Sequence, residues 1–150
     1  MSLGDLFPDN LKEQFAERNI NIGNALLIKL IDIQVNYDKY IIIVGINNME
    51  MAVAYVIINT EVNQNVAPTS YLQSLHLQID RARHGFLAHD SYINCSDLKE
   101  FPKQEIIDFL ITNPERVVGN IDVALLTDVY QTIKSATTIL PILKKKYGFI

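Results

Sequence analysis

Three β-rich runs follow one another almost without interruption, and they constrain the fold of this 150-residue chain more than any other feature. They are ALLIKLIDIQV at 25–35, YIIIVGI at 40–46 and MAVAYVIINT at 51–60. Their β-branched residues, their lengths and the short polar connectors NYDK and NNME favour strands over helices. The middle run is apolar without alternation, which predicts a strand covered on both faces. We therefore expect an antiparallel meander.

Further strands are predicted in the second half of the chain. Residues 74–80, SLHLQID, alternate apolar and polar side chains, as in a half-buried strand. The segment 86–101, FLAHDSYINCSDLKEF, supplies one or two short strands. Residues 61–71 are polar and contain Pro68, which predicts a loop, and RARHG at 81–85 is predicted as a basic loop or turn.

Helices are predicted at both ends of the chain. Residues 8–19 form a short helix, and Pro102 opens a second helix over KQEIIDFLIT. After a connector at 113–120, Asp122 is expected to cap a last helix that runs to about Lys146 and is kinked or ended by Pro141. The apolar stripe of that helix comprises Leu126, Val129, Ile133, Ala136 and Leu140.

This order of elements predicts a single domain of the α+β class, mainly β. A helical extension (1–22) is followed by the strands of a small antiparallel, barrel-like sheet (24–100) and then by helices (102–147). A chain of 150 residues has the length of one domain and can bury a sizeable core.

Composition narrows the classes of function. The net charge of −4 means that any nucleic-acid binding must come from a local basic patch. Cys95 is the only cysteine, which excludes an intrachain disulfide and a cysteine-based zinc cage, and we expect it to be a small buried side chain. The first residues lack the layout of a signal peptide and no apolar run reaches about 18 residues, so a cytoplasmic protein without a membrane span is expected.

The stretch HDSYINCSDLKEF, residues 89–101, contains the residue types of nucleophilic catalysis. In a strand His89 and Ser91 share one face, so the two could touch, but Asp90 points to the other face and no local triad forms. No G-x-S-x-G elbow is present. The pattern favours an edge strand with polar side chains in solvent over a serine hydrolase.

The three histidines do not have the spacing of a metal site. No two of His76, His84 and His89 are four residues apart on a helix, and no H-x-H occurs in a strand. Phosphate-binding glycine loops are also absent from the sequence. We expect neither a metal nor another cofactor.

Arg81, Arg83 and His84 form the concentrated basic cluster of the chain outside the C-terminal lysines. Arginine binds phosphates and stacks on bases, and Tyr71 and Phe86 nearby could stack unpaired bases. Taken alone, however, the cluster is better explained as a solvated turn between strands. The run Lys144–Lys146 is interpreted as a solvated helix end.

Taken in order, several segments resemble the PemK/MazF-like toxin family of bacterial toxin–antitoxin systems. KYIIIVG is similar to the family's Arg-Pro and apolar strand, IINT to the end of its third strand, and LHLQI to its Thr-His-Val-Glu-Ile strand. DSYINCSDLKEF is similar to its Asp-Ser-Val…Gln-Ile-Arg-Thr-Val-Asp segment, and RVVGNIDVALLTDVYQTIKSATTIL to its ending. The likeness covers roughly residues 25–140 and depends on the succession of segments.

The resemblance implies an SH3-like β-barrel with C-terminal helices, often a homodimer, whose partners are single-stranded RNA and an antitoxin protein. It also implies metal-independent RNA cleavage, in which the 2′-hydroxyl attacks the adjacent phosphate. By position, the family's catalytic cation and hydroxyl become Lys39 and Thr60. The implied RNA-binding residues are Arg81, Arg83, His84 and Lys99.

The sequence departs from the family at the positions that matter for chemistry. Lys39 and Tyr40 stand where Arg-Pro is usual, and Lys99 replaces another arginine. Lysine offers a point charge without the bidentate fork of arginine. A catalytically silent barrel that binds a protein partner is therefore the alternative function.

Overall fold

The structure, a computed structural model, describes residues 9–31, 36–65 and 67–150. The predicted α+β class is confirmed: six antiparallel strands form a strongly curled half-barrel, with a short helix at the N-terminal end and helices at the C-terminal end. The elements are α1 (Asp9–Arg18), β1 (Asn24–Ile31), β2 (Asn36–Ile46), β3 (Ala52–Asn59), α2 (Ser70–Ser74), β4 (His76–Ile79), β5 (Ser91–Pro102), α3 (Lys103–Thr112), a 3-10 turn (Pro114–Arg116), β6 (Val117–Asn120), α4 (Val123–Ser135) and α5 (Pro141–Lys146).

The strands lie in the order β4-β5-β3-β2-β1-β6, and all neighbours are antiparallel. The predicted meander of β1, β2 and β3 is confirmed. In the described part of the chain β4 and β6 do not pair with each other, so each leaves one edge of the half-barrel open.

Helices cover the two faces of this sheet, which explains why residues 40–46 of β2 are apolar without alternation. On one face, called the α4 face, Ile42 and Val56 pack with Val129 of α4 and Phe149 beyond α5. On the other, called the α3 face, Ile41, Ile43, Leu26 and Tyr55 pack with α1 and α3. Successive residues of a strand point to opposite faces, so a strand between two helical layers needs apolar side chains at every position.

The structure differs from the prediction at two strands. NYDK was expected to be a turn, but residues 36–39 begin β2; residues 32–35 lie outside the described residues. Residues 91–102 form one strand, β5, which lies between β3 and β4 and is not an edge strand. Consequently Ser91 is buried, although the polar side chains of this stretch were expected to face solvent. Cys95 is also buried, as predicted. Burial raises the pKa of the Cys95 thiol to about 12.

The C-terminal helices also correct the prediction. The expected cap is confirmed, because Asp122 Oδ1 accepts a hydrogen bond from the Leu125 amide at 2.9 Å. However, α4 ends at Ser135, so Leu140 leaves the buried stripe and is 64% exposed, and Pro141 begins the separate helix α5. Part of the predicted connector forms β6, a four-residue strand that pairs with β1.

Lys144 was expected to be a solvated helix end, but its side chain is buried. Its ammonium group donates to the carbonyl oxygens of Lys134, at 2.9 Å, and Ala136, at 2.6 Å. These are end-of-helix carbonyls of α4, so a cation placed there complements the helix dipole. The interaction attaches α5 to α4. None of the described helices is long and apolar enough to cross a membrane.

Candidate functional site

The α3 face of the sheet is only partly covered. Helices α1 and α3 pack over β1, β2 and β3, and Phe101 near the end of β5 joins their apolar cluster, whereas the side chains that β4 and the first residues of β5 add to this face are half-buried or exposed and carry polar groups. We call this uncovered area the open sheet face and define it by six residues: Lys39, Asn59, His76, Gln78, Tyr92 and Asn94.

The strand registers place these residues in neighbouring rows. Asn59, Tyr92 and Gln78 are consecutive Cα partners across β3, β5 and β4. Asn94 and His76 are partners in the next row. Their neighbours in sequence on β5, Ile93 and Cys95, are buried on the α4 face, so alternation directs Tyr92 and Asn94 to the open sheet face.

Lys39 joins this surface from β2. It lies two residues before Ile41 and therefore on the same face, and its ammonium Nζ donates to Asn59 Oδ1 at 2.8 Å. Partial burial lowers the pKa of Lys39 from its ordinary value of 10.5. Asn59 was not predicted as a site residue, although the register of an antiparallel meander places it opposite Lys39.

Thr60 lies immediately after Asn59, just past the end of β3. Its side chain is exposed, and its hydroxyl makes no hydrogen bond to another described residue. Lys39 and Thr60 thus lie at the same end of the β2–β3 hairpin. Asn59 connects them, because its side chain accepts a hydrogen bond from Lys39 and Thr60 is the next residue in the chain.

Lys99 lies on β5 but not beside Lys39. It is the Cα partner of Tyr55, four residues along β3 from Asn59, a displacement of about 13 Å in an extended strand. A bulge separates it from Asn94, and its ammonium group lies 3.1 Å from Asp97 Oδ2. The structure therefore does not bring Lys99 and Lys39 to one phosphate-sized site.

Two hydrogen bonds determine which donor and acceptor groups remain on His76 and Asn94, in the next row of the open sheet face. His76 Nδ1 lies 2.9 Å from the Leu72 carbonyl oxygen, so Nδ1 carries a proton, and in the neutral imidazole Nε2 is left as an acceptor. Asn94 Oδ1 accepts from the Ser96 amide at 3.0 Å, so the Asn94 NH₂ group remains as a donor. Neither of these two outward-facing groups is hydrogen-bonded to another described residue.

The basic cluster lies in the loop at 80–90, which follows β4. The Arg81 guanidinium donates to the Leu87 carbonyl at 3.1 Å, within the loop. Arg83 donates to the Asp80 carboxylate at 3.1 Å, and this ion pair raises the pKa of Arg83 and lowers that of Asp80. Both arginine side chains are therefore held by groups of the protein.

His84 is 1% exposed and links the loop to α4. Its Nδ1 donates to the Asp80 carbonyl at 3.0 Å, and its Nε2 accepts from the Asp122 amide at 3.2 Å. Asp122 Oδ2 is buried and makes no hydrogen bond to a described residue; it lies 3.6 Å from His84 Nε2 and 3.7 Å from Arg83 Nη1. The imidazole here functions as a structural bridge.

Phe86 attaches the same loop to the rest of the half-barrel. Its ring packs 5.6 Å from that of Tyr40 on β2, and a Cβ on Gly119 of β6 would lie only 2.9 Å from its Cδ1 atom. Tyr40 belongs to the α4 face, whereas Lys39 belongs to the α3 face. The roles predicted for Arg81, Arg83 and His84 in RNA binding stay predictions; His84 and Arg83 lie against Phe86 and the start of α4.

The stretch around His89 does not form a nucleophile. Ser91 Oγ donates to the His89 carbonyl at 3.1 Å and lies 3.4 Å from His89 Nδ1. That ring nitrogen faces the Asp90 carbonyl at 2.9 Å and so carries a proton, which prevents it from deprotonating Ser91. Within the described ranges no group of three or more His, Cys, Asp or Glu side chains could hold a metal ion.

Comparison with known proteins adds no family to this picture. No model of a protein family matches the chain, and no curated protein matches it.

Proposed function

We propose that this chain is a toxin-like, metal-independent endoribonuclease that cleaves single-stranded RNA and acts in a toxin–antitoxin module. The observation that carries the proposal is the hydrogen bond from Lys39 to Asn59, which holds a cation at the residue that directly precedes the exposed Thr60, at the border of the open sheet face. The succession of segments that resemble the PemK/MazF-like family supports the same activity.

The reaction requires charge stabilisation and proton transfer at one phosphate. The 2′-hydroxyl attacks phosphorus and gives its proton to solvent water, the bond to the 5′-oxygen breaks, and the products are a 2′,3′-cyclic phosphate and a free 5′-hydroxyl. Lys39 would neutralise the developing negative charge and donate a proton to the departing 5′-oxygen; its lowered pKa makes it a better acid than an ordinary lysine. Thr60 would hydrogen-bond a non-bridging oxygen.

Cleavage of labelled single-stranded RNA in EDTA tests this function. We expect the wild-type chain to cut, and Lys39→Ala and Thr60→Val each to reduce the rate by at least about 100-fold, the effect typical of losing a group that stabilises transition-state charge. Thr60→Ser should retain most of the activity because it keeps the hydroxyl. Products should carry the cyclic phosphate.

A matched control tests whether activity depends on the lysine at position 39 or only on the net charge of the protein. Lys145→Ala removes an exposed lysine from α5 and should leave the rate unchanged. If wild-type protein does not cut any single-stranded RNA, or if Lys39→Ala and Thr60→Val cut at the wild-type rate, the proposed site is wrong.

The alternative is a catalytically silent half-barrel that binds a protein partner such as an antitoxin segment. It is favoured by the edge strands β4 and β6, whose outer edges make no strand pair with other described residues and could accept an added strand. Expression of the chain alone distinguishes the two functions. Growth arrest with RNA cleavage supports the nuclease, whereas normal growth with tight binding to the product of a neighbouring antitoxin-like gene supports the binding module.

A further inference from the structure

We propose that Tyr92, Gln78, His76 and Asn94 form a subsite for one unpaired nucleobase of the RNA, next to the phosphate held at Lys39. This inference rests on the proposed function, because it names the part of the single-stranded substrate that the open sheet face recognises. It assigns binding to four residues for which the sequence suggested no role in RNA recognition.

The position of Tyr92 is the first argument. It is the Cα partner of Asn59, the residue that holds the Lys39 ammonium group, and therefore lies one strand spacing away, about 4.8 Å. Its side chain is half-buried on a face where no described helix covers it. A tyrosine ring anchored in a sheet beside a phosphate-binding cation provides a platform on which a single-stranded base can stack.

The polar groups around this ring are the second argument. Gln78, the partner of Tyr92 on β4, is exposed and presents both a donor and an acceptor. In the adjoining row, Nε2 of the neutral His76 ring is an acceptor and the Asn94 NH₂ group is a donor, because Nδ1 and Oδ1 already make other hydrogen bonds. The edges of an unpaired base carry donors and acceptors side by side, so these side chains can distinguish one base from another by hydrogen bonding.

The absence of charge on this row is the third argument. Asn59, Tyr92 and Gln78 are uncharged, and the row that they form is flanked by Lys39 on β2. A surface that binds only the phosphate backbone requires cations along its length. One cation beside an aromatic and amide surface fits one phosphate followed by one base.

The test measures binding of a non-cleavable, 2′-O-methyl single-stranded oligonucleotide of mixed sequence, by fluorescence anisotropy, with the full chain. Tyr92→Ala should weaken binding by between about 5-fold and about 150-fold, the range measured for loss of one stacked base, whereas Tyr92→Phe should bind nearly as well as wild type. Gln78→Ala should change the preference among oligonucleotides that differ in one base. Gln131→Ala, an exposed glutamine on α4, is the matched control and should change neither.

Salt dependence separates the base subsite from the phosphate contact. Lys39→Ala should reduce the slope of log affinity against log salt concentration by about 0.7, the value for one phosphate of a single strand, and Tyr92→Ala should leave the slope unchanged. Circular dichroism and thermal unfolding establish that each variant is folded before it is compared.

The outcomes distinguish the two proposals. If the wild type binds through Tyr92 but does not cut RNA, the nuclease fails and the subsite stands. If the wild type cuts but Tyr92→Ala binds and cuts as well as wild type, only the subsite fails. Failure of the wild type to bind, or equal binding of duplex and single strand, overturns the subsite, since a paired base cannot stack on Tyr92.

Discussion

The open sheet face and the loop at 80–90 both carry polar and basic residues, but they differ in what those residues contact. In the loop, Arg83 pairs with Asp80, and the two ring nitrogens of His84 bond to the Asp80 carbonyl within the loop and to the Asp122 amide at the start of α4. On the open sheet face, Lys39 bonds to the neutral amide of Asn59, and Tyr92 and Gln78 remain accessible. The density of basic residues in the sequence therefore did not show which groups hold each basic side chain in the structure.

The largest effect on stability is expected in the loop. His84→Ala removes a buried ring and leaves the Asp122 amide without its acceptor, so the free energy of unfolding should fall by about 2–4 kcal/mol. His89→Ala, an exposed histidine in the same loop, should change it by less than about 0.5 kcal/mol. Denaturant unfolding of both variants measures the difference, and equal stabilities would show that His84 does not hold the loop.

Asp122 provides a finer test of the same region. Asp122→Ala removes the cap of α4 and should cost about 1 kcal/mol. Asp122→Asn keeps an acceptor for the Leu125 amide and replaces a buried, unsatisfied carboxylate oxygen, so it should be at least as stable as wild type. Thermal unfolding measures both; a large loss in Asp122→Asn would mean that the charge interacts strongly with Arg83 or His84.

Substitutions on the open sheet face should affect RNA cleavage more than stability. Asn59→Ala removes the group that positions Lys39 and should lower RNA cleavage by about tenfold, while stability changes by less than about 1 kcal/mol. Asn48→Ala, in the turn at the other end of the same hairpin, is the control. Cleavage and unfolding assays on the same preparations measure the two effects. Unchanged cleavage in Asn59→Ala would remove the positioning role.

The pH dependence of cleavage is expected to follow Lys39. Because burial disfavours the charged ammonium and lowers its pKa, the protonated form that catalysis needs is lost as pH rises through a value below 10.5. Rates corrected for alkaline hydrolysis of RNA should therefore decline before that pH. In Lys39→Arg the decline should disappear or move upward, since guanidinium stays protonated; an unchanged profile would assign it to another group.

The smallest effect is expected for Arg83→Ala. Its ion pair with Asp80 is exposed, and exposed pairs contribute about 0–1 kcal/mol. If RNA binds at the open sheet face and not at the loop, Arg83→Ala should lose less affinity for single-stranded RNA than Lys39→Ala. Anisotropy under identical salt conditions measures both, and a greater loss in Arg83→Ala would favour the loop as the RNA-binding surface.

Much of the fold could be predicted because strong local patterns coincide with it. The apolar run 40–46 lies between two helical layers as expected, and Asp122 caps its helix. The elements that were missed depend on distant partners. The strand at 117–120 is too short to have a periodicity of its own and exists because it pairs with β1. Likewise, Leu140 is periodic in sequence, but α4 ends before it.

The candidate site shows the same division between local and distant information. The resemblance singled out Lys39 and Thr60 by position, and both lie at one end of the β2–β3 hairpin. Asn59, Tyr92 and Gln78 carry no chemical signature in the sequence. They become a surface only through register, which depends on how three strands pair and not on which residues neighbour one another in the chain.

The sequence by itself determined the class of fold, the meander, the main helices and the burial of Cys95, because hydrophobic periodicity and capping act over a few residues. The tertiary structure alone decided that the half-barrel stays open, that Lys144 turns inward, and that His84 and Lys39 belong to different surfaces. Those outcomes follow from contacts between residues far apart in the chain, where the available partner decides whether a polar side chain is buried or exposed.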